Sequence, residues 1–589
     1  MSGAPRGEAL IRRPAGSIRT TLPDPREGDL EDDASGTARH SMLGHATYML
    51  LEISLPKLVL AAVMLLVLPA LLLGATPKAV LWLVEAAWHE ATRLGLIAAA
   101  VVCAAAAGFV AWRWGRTVSL VVERNFWALN ATLVQPLYTA LREAARIALE
   151  RAAPSRDLAA TRRLAGLGAG AGSAIAAAAI AWWAGPLPSL RFERFGTAAV
   201  LDAIRNGVWV IALYLMVGAP VWSIAEALAG TPEDLGPQPE GEARWRVAHL
   251  SDIHVVGDAH GFRLESGREG PRGNGHLDRA LALLAEADAR APLDWLLVTG
   301  DVTDAGRNAE FIALEESLAR QPALRDRVVI VPGNHDVNIV DRANPSRLEL
   351  PGAPGGALRR LRFLGAMARL QGDRVHLVDH ASGRIGPTLN AWLATDGRAE
   401  VLARFMDKGG LRAGRAARRL WAEVFPLVVP PAGPDGLGLV LLDSNAETHF
   451  SFTNALGMLG IAQCHAAEAV MHAQPAARWL VLMHHHLTEY PRPGARVADR
   501  IGKALVNGHW VLGRLRRLAP RILVLHGHRH IDWAGHSGGL RIISAPSPVM
   551  GAAGAQRGFW IQRLAPGPAG GLALLAPEQV AIPGGAGRG

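Results

Sequence analysis

Cysteine is almost missing from this chain: Cys103 and Cys464 are the only two in 589 residues. That rules out a disulfide framework and any CxxC metal site, and it fits a reducing compartment. Dense Lys/Arg blocks interleaved with aromatics are also missing, which counts against nucleic acid as a partner. The first apolar run starts too late for a signal peptide, so residues 1–54 read as a polar, disordered region. Charge is scarce inside the long apolar runs, where only Asp202, Arg205 and Glu226 stand, at the margins. Intramembrane charges mark ion and proton routes, so their scarcity argues for an anchor rather than a transporter.

What the chain has in abundance is apolar residues, at 50%, with a mean hydropathy of +0.17. Four stretches follow the polar region: Leu58–Ala75, Leu94–Trp112, Leu164–Ala184 and Gly207–Leu228. A helix of about 20 residues crosses a bilayer core of ~30 Å, and each stretch has roughly that length. Residues 55–230 are therefore expected to form an α-helical membrane domain of four spans. In the third stretch Gly166, Gly170, Ala174 and Ala178 make a ridge of small residues that lets helix backbones approach. The connection between the second and third stretches carries nine arginines, from Arg113 to Arg163. The positive-inside rule places that connection in the cytoplasm, and with it both termini. The expectation is an integral protein of a bacterial-type inner or plasma membrane, with its C-terminal domain facing the cytoplasm. The Arg-rich connection reads as an amphipathic helix or two, lying on the bilayer or packing on the soluble domain, or as a solvated face. Net charge is +9, which adds anionic partners: bilayer lipid and phosphorylated small-molecule or lipid substrates.

Residues 231–243 are rich in Pro, Gly and Glu and read as a linker. A soluble α/β domain is expected over 244–564, with an insertion near 340–436 and a flexible tail over 565–589 that has little fixed structure beyond a possible last strand. Within it, short apolar runs that read as strands end repeatedly in polar clusters. Arg246–Leu250 leads to Asp252 and His254, Trp295–Val298 to Asp301, and Val328–Val331 to Asn334, His335 and Asp336. Trp479–Met483 leads to His484, His485 and His486, and Ile522–Leu525 to His526, His528 and His530. Sheet proteins place their sites at strand C-termini. Asp, Asn and His oxygens and nitrogens suit Mn, Fe or Zn. Seven such ligands are too many for one ion and suit two, which can hold a hydroxide between them and grip a phosphoryl oxygen.

These motifs, in the order DxH, GD, GNHD, H and GHxH, resemble the calcineurin-like metallophosphoesterase superfamily over about Trp245–Pro548. The segments Leu250–His254, Thr299–Asp304, Val331–Asp336 and Leu441–Asn445 are most similar to its class III cyclic nucleotide phosphodiesterase branch. The resemblance implies a double β-sheet sandwich flanked by helices, and two divalent metal ions. It gives Asp252, His254 and His530 to one ion, Asn334, His484 and His528 to the other, and Asp301 to both. It sets His335 against the phosphate, with Asp336 orienting its ring; His485 and His486 support the site or face substrate, and His526 is a buried strand-end histidine. The expected function is a membrane-anchored, metal-dependent phosphoesterase acting on a phosphodiester or phosphomonoester, such as a cyclic nucleotide, through a bridging hydroxide. A lipid-headgroup or nucleotide-pyrophosphate hydrolase is the alternative. A non-catalytic membrane sensor or scaffold is a second one, weakened because no ligand position is lost. The insertion, with Arg359, Arg360, Arg362 and Arg415–Trp421, reads either as a basic cap over the pocket or as a helical insert with a solvated face.

Overall fold

The computed structural model describes residues 134–152, 157–185, 197–264, 270–341, 347–349, 354–380, 382–395, 397–408, 411–449, 451–491, 505–550 and 557–583, with Ala105 and Gly108. The expected polar region and, apart from those two residues, the first two apolar stretches lie outside them. The chain divides into two compact units. One holds Asp234–His486 and Leu515 onward; the other holds the helices before Glu233 together with Leu487–Arg514. A domain reading that ran unbroken over 244–564 is therefore corrected, because Leu487–Arg514 belongs with the helices.

The helical unit contains α1 (Gln135–Ala152), α2 (Leu158–Trp183) and α3 (Thr197–Ala229). Ala-rich sequence favours all three. The Asp157 side chain caps α2 by accepting from the backbone N–H groups of Ala159 and Ala160. Ala159–Trp183 and Ile204–Ala229 are long and apolar enough to cross a membrane. At ~1.5 Å per residue, such lengths exceed a bilayer's ~30 Å hydrocarbon core. α2 and α3 meet closely at Gly170, where a Cβ would sit 2.3 Å from Ser223 Oγ and 3.1 Å from the Ala219 carbonyl. The small-residue face then follows Ser173, Ala177 and Ala181, all buried, while Ala178 of the expected ridge is exposed. The i+4 ridge drifts around a helix of 3.6 residues per turn, so a four-residue rule fails after two turns. α1, part of the Arg-rich connection, turns Arg142, Glu143 and Arg146 inward rather than to lipid or water.

In the phosphoesterase-like unit, β2 (Trp245–Leu250), β3 (Trp295–Val298) and β4 (Val328–Ile330) run parallel. They continue the antiparallel pair β13 (Arg557–Pro566) and β14 (Leu572–Ile582) into a five-stranded sheet ordered β14-β13-β2-β3-β4. Helix α4 (Gly275–Arg290) connects β2 to β3 as the apolar spacing predicts, burying Leu277, Leu281 and Leu284. The tail holds the last strand that was possible there: Leu572–Ile582 lies at the sheet edge with Leu572, Leu574, Leu575 and Ile582 buried, so the flexible reading is corrected as far as Ile582.

The second sheet has nine strands, with β1 (Glu233–Asp234) and β11 (Trp533–Ser537) at one edge. Its parallel centre is β8 (Leu437–Leu441), β9 (Arg478–Leu482), β10 (Ile522–His526) and β12 (Leu540–Ser544). Leu439 and Leu441, Leu480 and Leu482, and Leu523 and Leu525 share one core with Val247, Leu250, Val298 and Ile330 of the first sheet. Alternation along each strand puts such residues on one face, so the two sheets close on each other as a sandwich.

The insertion is not an ornament on this frame. It supplies β5 (His376–Val378), β6 (Ile385–Thr388) and β7 (Leu427–Val429), which complete one flank of the nine-stranded sheet. Helix α5 (Asn308–Ala319) precedes it, and its own first helix, α6, covers Pro354–Gln371. Arg359 and Arg362 on α6 are buried, Arg359 against Glu349 and Arg362 donating to the Gly306 carbonyl. Neither expected reading, basic cap or solvated face, describes those two side chains: they hold loops together from inside.

Candidate metal centre

Register makes the site. Leu250 pairs with Val298, Val298 with Ile330, Leu441 with Leu482 and Leu482 with Leu525, so the parallel strands of each sheet end level. The polar clusters that follow them meet at one rim of the sandwich. Hydrogen bonds lace the two sheets together there. The His528 N–H donates to Asp252 Oδ2 at 2.9 Å and Asn445 Nδ2 to the Pro332 carbonyl at 3.0 Å, while the Gly527 N–H ties β10 to β9 within one sheet through the His484 carbonyl. Two glycines permit this closeness. A Cβ on Gly527 would lie 1.8 Å from Ser251 Oγ, and one on Gly333 would lie 2.0 Å from the Asp301 nitrogen.

Six residues other than glycine adopt positive φ among the described residues. Five of them are Asp252, His254, Asp301, His528 and His530. The left-handed region costs a side-chain-bearing residue about 1–2 kcal/mol. Such strain persists where surrounding structure imposes it, and it concentrates at functional sites. Here it aims ligating atoms that a relaxed strand end would turn elsewhere.

Three groups of ligating atoms result: Asp252, His254 and His530; His254, Asp301 and His335; and Asp301, His484 and His528. In the first, His254 Nε2 is 3.3 Å from His530 Nε2, and His530 Nε2 is 3.3 Å from Asp252 Oδ1. In the last, His484 Nε2 is 3.1 Å from His528 Nδ1, 3.3 Å from Asp301 Oδ2 and 3.0 Å from Asn334 Oδ1. Asp301 joins the groups. Its Oδ1 accepts from the His335 N–H at 2.9 Å, which leaves Oδ2 turned toward His484 and, at 3.9 Å, His254. A cation held by bonds of ~2.1 Å has ligand-to-ligand edges of about 3.0–3.4 Å. The observed spacings match those edges, so the residues present fit a pair of divalent ions. His254, His484, Asp252, Asp301 and Asn334 are buried, while His530 is 21% exposed and opens the rim to solvent.

Electrostatics agree. Burial opposes charge on Asp301, yet His484, His335 and His254 outweigh it and hold its carboxyl below the usual range. Burial likewise opposes a proton on His484, but Asp301 and then Asp252 push its pKa up to about 9. Protons on imidazoles here supply the positive charge that the carboxylates require and that divalent cations would supply instead. Behind the site His249 and His526 go the other way, burial lowering them to about 3 and about 4, so both are neutral imidazoles.

His335 stands edge-on to His254, ring centroids 4.6 Å apart, with a ring nitrogen in the group around Asp301. Its Nδ1 bonds the Asp304 carbonyl at 2.7 Å. Asp336 does not orient that ring, which corrects the expectation. Its carboxylate accepts from the Thr303 hydroxyl at 2.6 Å and from the Thr303, Gly333 and Val302 N–H groups at 2.8, 2.8 and 3.2 Å. Both oxygens are committed to tying the Asp301 and Asn334 loops. Burial and Asp301 together, opposed by Thr303 and those N–H groups, push Asp336 up to about 6.

The motif segments also contain three supports to which the sequence alone gives no role. The Thr299 carbonyl accepts from His484 Nδ1 at 2.9 Å, fixing that ring's tautomer so that Nε2 faces the site. Asp304 supplies the carbonyl for His335. Ser444 Oγ accepts from the His484 and His485 N–H groups and bonds His485 Nδ1 at 3.0 Å. His485 and His486 are buried, with His486 stacked 5.9 Å from His528; His526 ends β10, buried.

Residues 246–426 match the family model for calcineurin-like phosphoesterases. The match ends before His484, His528 and His530, which the fold returns to the same rim. No curated protein matches the chain. Similar solved structures include a dimetal phosphatase from Danio rerio, 14% identical, covering 58% of this chain and 99% of its own, with a TM-score of 0.34. A calcineurin-like phosphoesterase from Bacillus subtilis is 12% identical, covers 58% of this chain and 91% of its own, and has a TM-score of 0.22. With the match over residues 246–426 on one side and a two-sheeted ligand set around Asp301 on the other, this part of the chain is similar to a calcineurin-like phosphoesterase, which supports a metal-dependent phosphoric ester hydrolase.

Proposed function

We propose that this chain is a membrane-anchored phosphoesterase that hydrolyses a phosphodiester, with a cyclic nucleotide as the leading substrate class. The observation that carries the reaction type is Asp301 Oδ2 facing both ligand groups at once. Bound there, two divalent ions of Mn, Fe or Zn supply Lewis-acid charge and an ionised water at neutral pH. The chain's own part is to hold the ligands rigid and to place His335. Its ring stands in one group with His254 and Asp301, beside the position a phosphoryl or leaving oxygen would take, where it would stabilise charge or deliver a proton.

The membrane reading rests on α2 and α3, whose apolar side chains are largely exposed, with Trp182 and Trp183 at one end and Arg162 and Arg163 at the other. Indole rings favour the interface and arginines the cytoplasmic side, which supports a cytoplasmic catalytic domain. A lipid-headgroup substrate would draw on the same helices and on a basic insertion, but Arg359 and Arg362 of that insertion are buried, so this reading stands second.

The full chain, purified with Mn, is to be assayed on 3′,5′-cyclic AMP, a model phosphodiester, a phosphomonoester and a glycerophospholipid. Phosphodiester turnover is expected, and His335→Ala should lower kcat about 10²–10⁴-fold while the metal stays bound. Equal turnover in parent and variant would sink the role given to His335. Preference for the glycerophospholipid would move the proposal to its second reading. Proteolysis of the catalytic domain from outside right-side-out vesicles would overturn the orientation.

A further inference from the structure

The insertion carries charge that the metal centre does not use. Its helix α7 (Leu411–Val424) packs on α6, with the ring of Trp421 edge-on to Phe363 at 6.3 Å between centroids. Trp421 Nε1 donates to Asp443 Oδ2 at 2.9 Å, and Asn445 Nδ2 donates to Asp443 Oδ1 at 2.8 Å. The same Asn445 amide reaches the carbonyl of Pro332, two residues before Asn334. A chain of hydrogen bonds thus pins α7 to the loop that bears a metal ligand. From the far end of that loop the Asn338 N–H donates to the Asn334 carbonyl at 3.0 Å. One helical turn, ~6 Å, therefore separates Asn338 from the ligand.

Asn338 lines a pocket whose wall also holds Arg360 of α6 and Arg418 of α7. Three guanidiniums, Arg359, Arg360 and Arg418, meet two carboxylates there, Glu349 and Glu447. Arg359 takes both oxygens of Glu349, at 3.0 and 2.6 Å. Glu447 is then the one carboxylate in the wall set against two guanidiniums. Burial lowers the Arg418 pKa; Glu447 opposes that, and Arg360 and Arg415 lower it further. Thr448 Oγ1, in the same wall, is buried and makes no hydrogen bond among the described residues. Two like charges held near each other by separate helices, beside a hydroxyl with a proton to donate, form a donor set for an anion with several oxygens. Arginine's planar fork matches phosphate in particular.

We propose that Arg360 and Arg418 form a subsite that holds a second phosphate of the substrate, beside the phosphodiester at the metal centre. The proposal rests on the phosphodiesterase reading and narrows it to diesters that carry a further phosphate close to the scissile one. Among cyclic nucleotides it favours those with more than one phosphate, because 3′,5′-cyclic AMP leaves the subsite unused.

The dinucleotides ApA and pApA test this, since they share one phosphodiester and differ only by a 5′-terminal phosphate. The full chain with Mn²⁺ is expected to hydrolyse both, with a KM for pApA about tenfold or more below that for ApA, the worth of one charge-assisted hydrogen bond. Arg360→Gln and Arg418→Gln, each checked for folding by circular dichroism, should bring the two KM values together. Arg419→Gln, an exposed neighbour outside the pocket wall, should keep the parental preference. Equal KM values in the parent, or a preference that survives both substitutions, overturns the proposal. It falls too if the model phosphodiester is turned over and neither dinucleotide is. If no phosphodiester is turned over, the reading beneath the proposal fails.

Discussion

Trp182 and Trp183 on α2 are 88% and 86% exposed, and Ile175, Val217 and Leu228 are exposed too. In the phosphoesterase unit the one large apolar side chain exposed among the described residues is Ile312, at 43%. The two units also bury charge differently. Arg142, Glu143 and Arg146 sit inside the helical unit among partners of opposite sign. Asp252, Asp301, His254 and His484 sit inside the phosphoesterase unit with ligating atoms crowded against one another. The first pattern suits helices whose outside is hydrocarbon, where a buried charge must find its counter-charge within the protein. The second is a donor set of the kind that cations complete. Buried charge is thus paired off for packing in the helical unit, whereas around Asp301 it forms a donor set.

The largest test of that contrast is Asp301→Asn. It keeps the shape of the side chain and removes the charge that joins both ligand groups. It should lower kcat/KM by about 10³-fold or more, about 4 kcal/mol, and cost at least one bound metal per chain by elemental analysis. If metal content and rate survive, the crowding around Asp301 serves packing after all.

Next in size is a pH effect inside the phosphoesterase unit. Burial, opposed by Arg307 and reinforced by Asp304, pushes Glu310 up to about 7 from an ordinary 4.5. The folded pKa of this acid is raised. Between about pH 4.5 and 7 the unfolded chain therefore sheds a proton that the folded chain keeps, and stability falls as pH rises through that window. The loss levels off above it, at up to about 3 kcal/mol. Glu310→Gln cannot titrate, so its stability relative to the parent should grow across the same window in denaturant unfolding. A parallel pH dependence for the two proteins would show that Glu310 ionises freely in the fold.

The helical unit supplies the smaller effects. Gly170→Val drives carbon into Ser223 and Ala219 and should destabilise the α2–α3 pair by about 1–3 kcal/mol. Gly168→Ala, two residues away with nothing within 4 Å of the added carbon, should stabilise α2 by about 0.5–1 kcal/mol. Thermal unfolding followed by helical circular dichroism in detergent reads both. Equal shifts for the two would mean that close backbone contact does not hold the pair.

The candidate site was legible because its elements are local. A run such as Trp295–Val298 is apolar and ends in Gly-Asp, and that pattern marks a parallel strand and its functional end without knowledge of neighbours. The ligand positions Asp252, His254, Asp301, Asn334, His484, His528 and His530 all come from such strand ends, and the structure brings them together. What was not legible depended on partners distant in sequence. The resemblance gave Asp336 the part of orienting His335, but adjacent residues in a one-turn helix face apart. Arg359 and Arg362 looked like surface charge until α6 folded them over Glu349 and Gly306. β14 was legible only as a possible last strand, because its pattern, Leu572–Ile582, gains meaning beside β13.

By itself the sequence determined which residues are chemically able to bind metal and which helices are apolar enough to meet a bilayer, because composition and short periods settle both. Tertiary structure alone decided the rest. Strand register brought two sheets' ends level, positive-φ backbone aimed the ligands, and the segment after His486 was drawn into the helical unit by Arg142 and Arg162. Those outcomes depend on pairings between residues far apart in the chain, and no local pattern encodes such a distance.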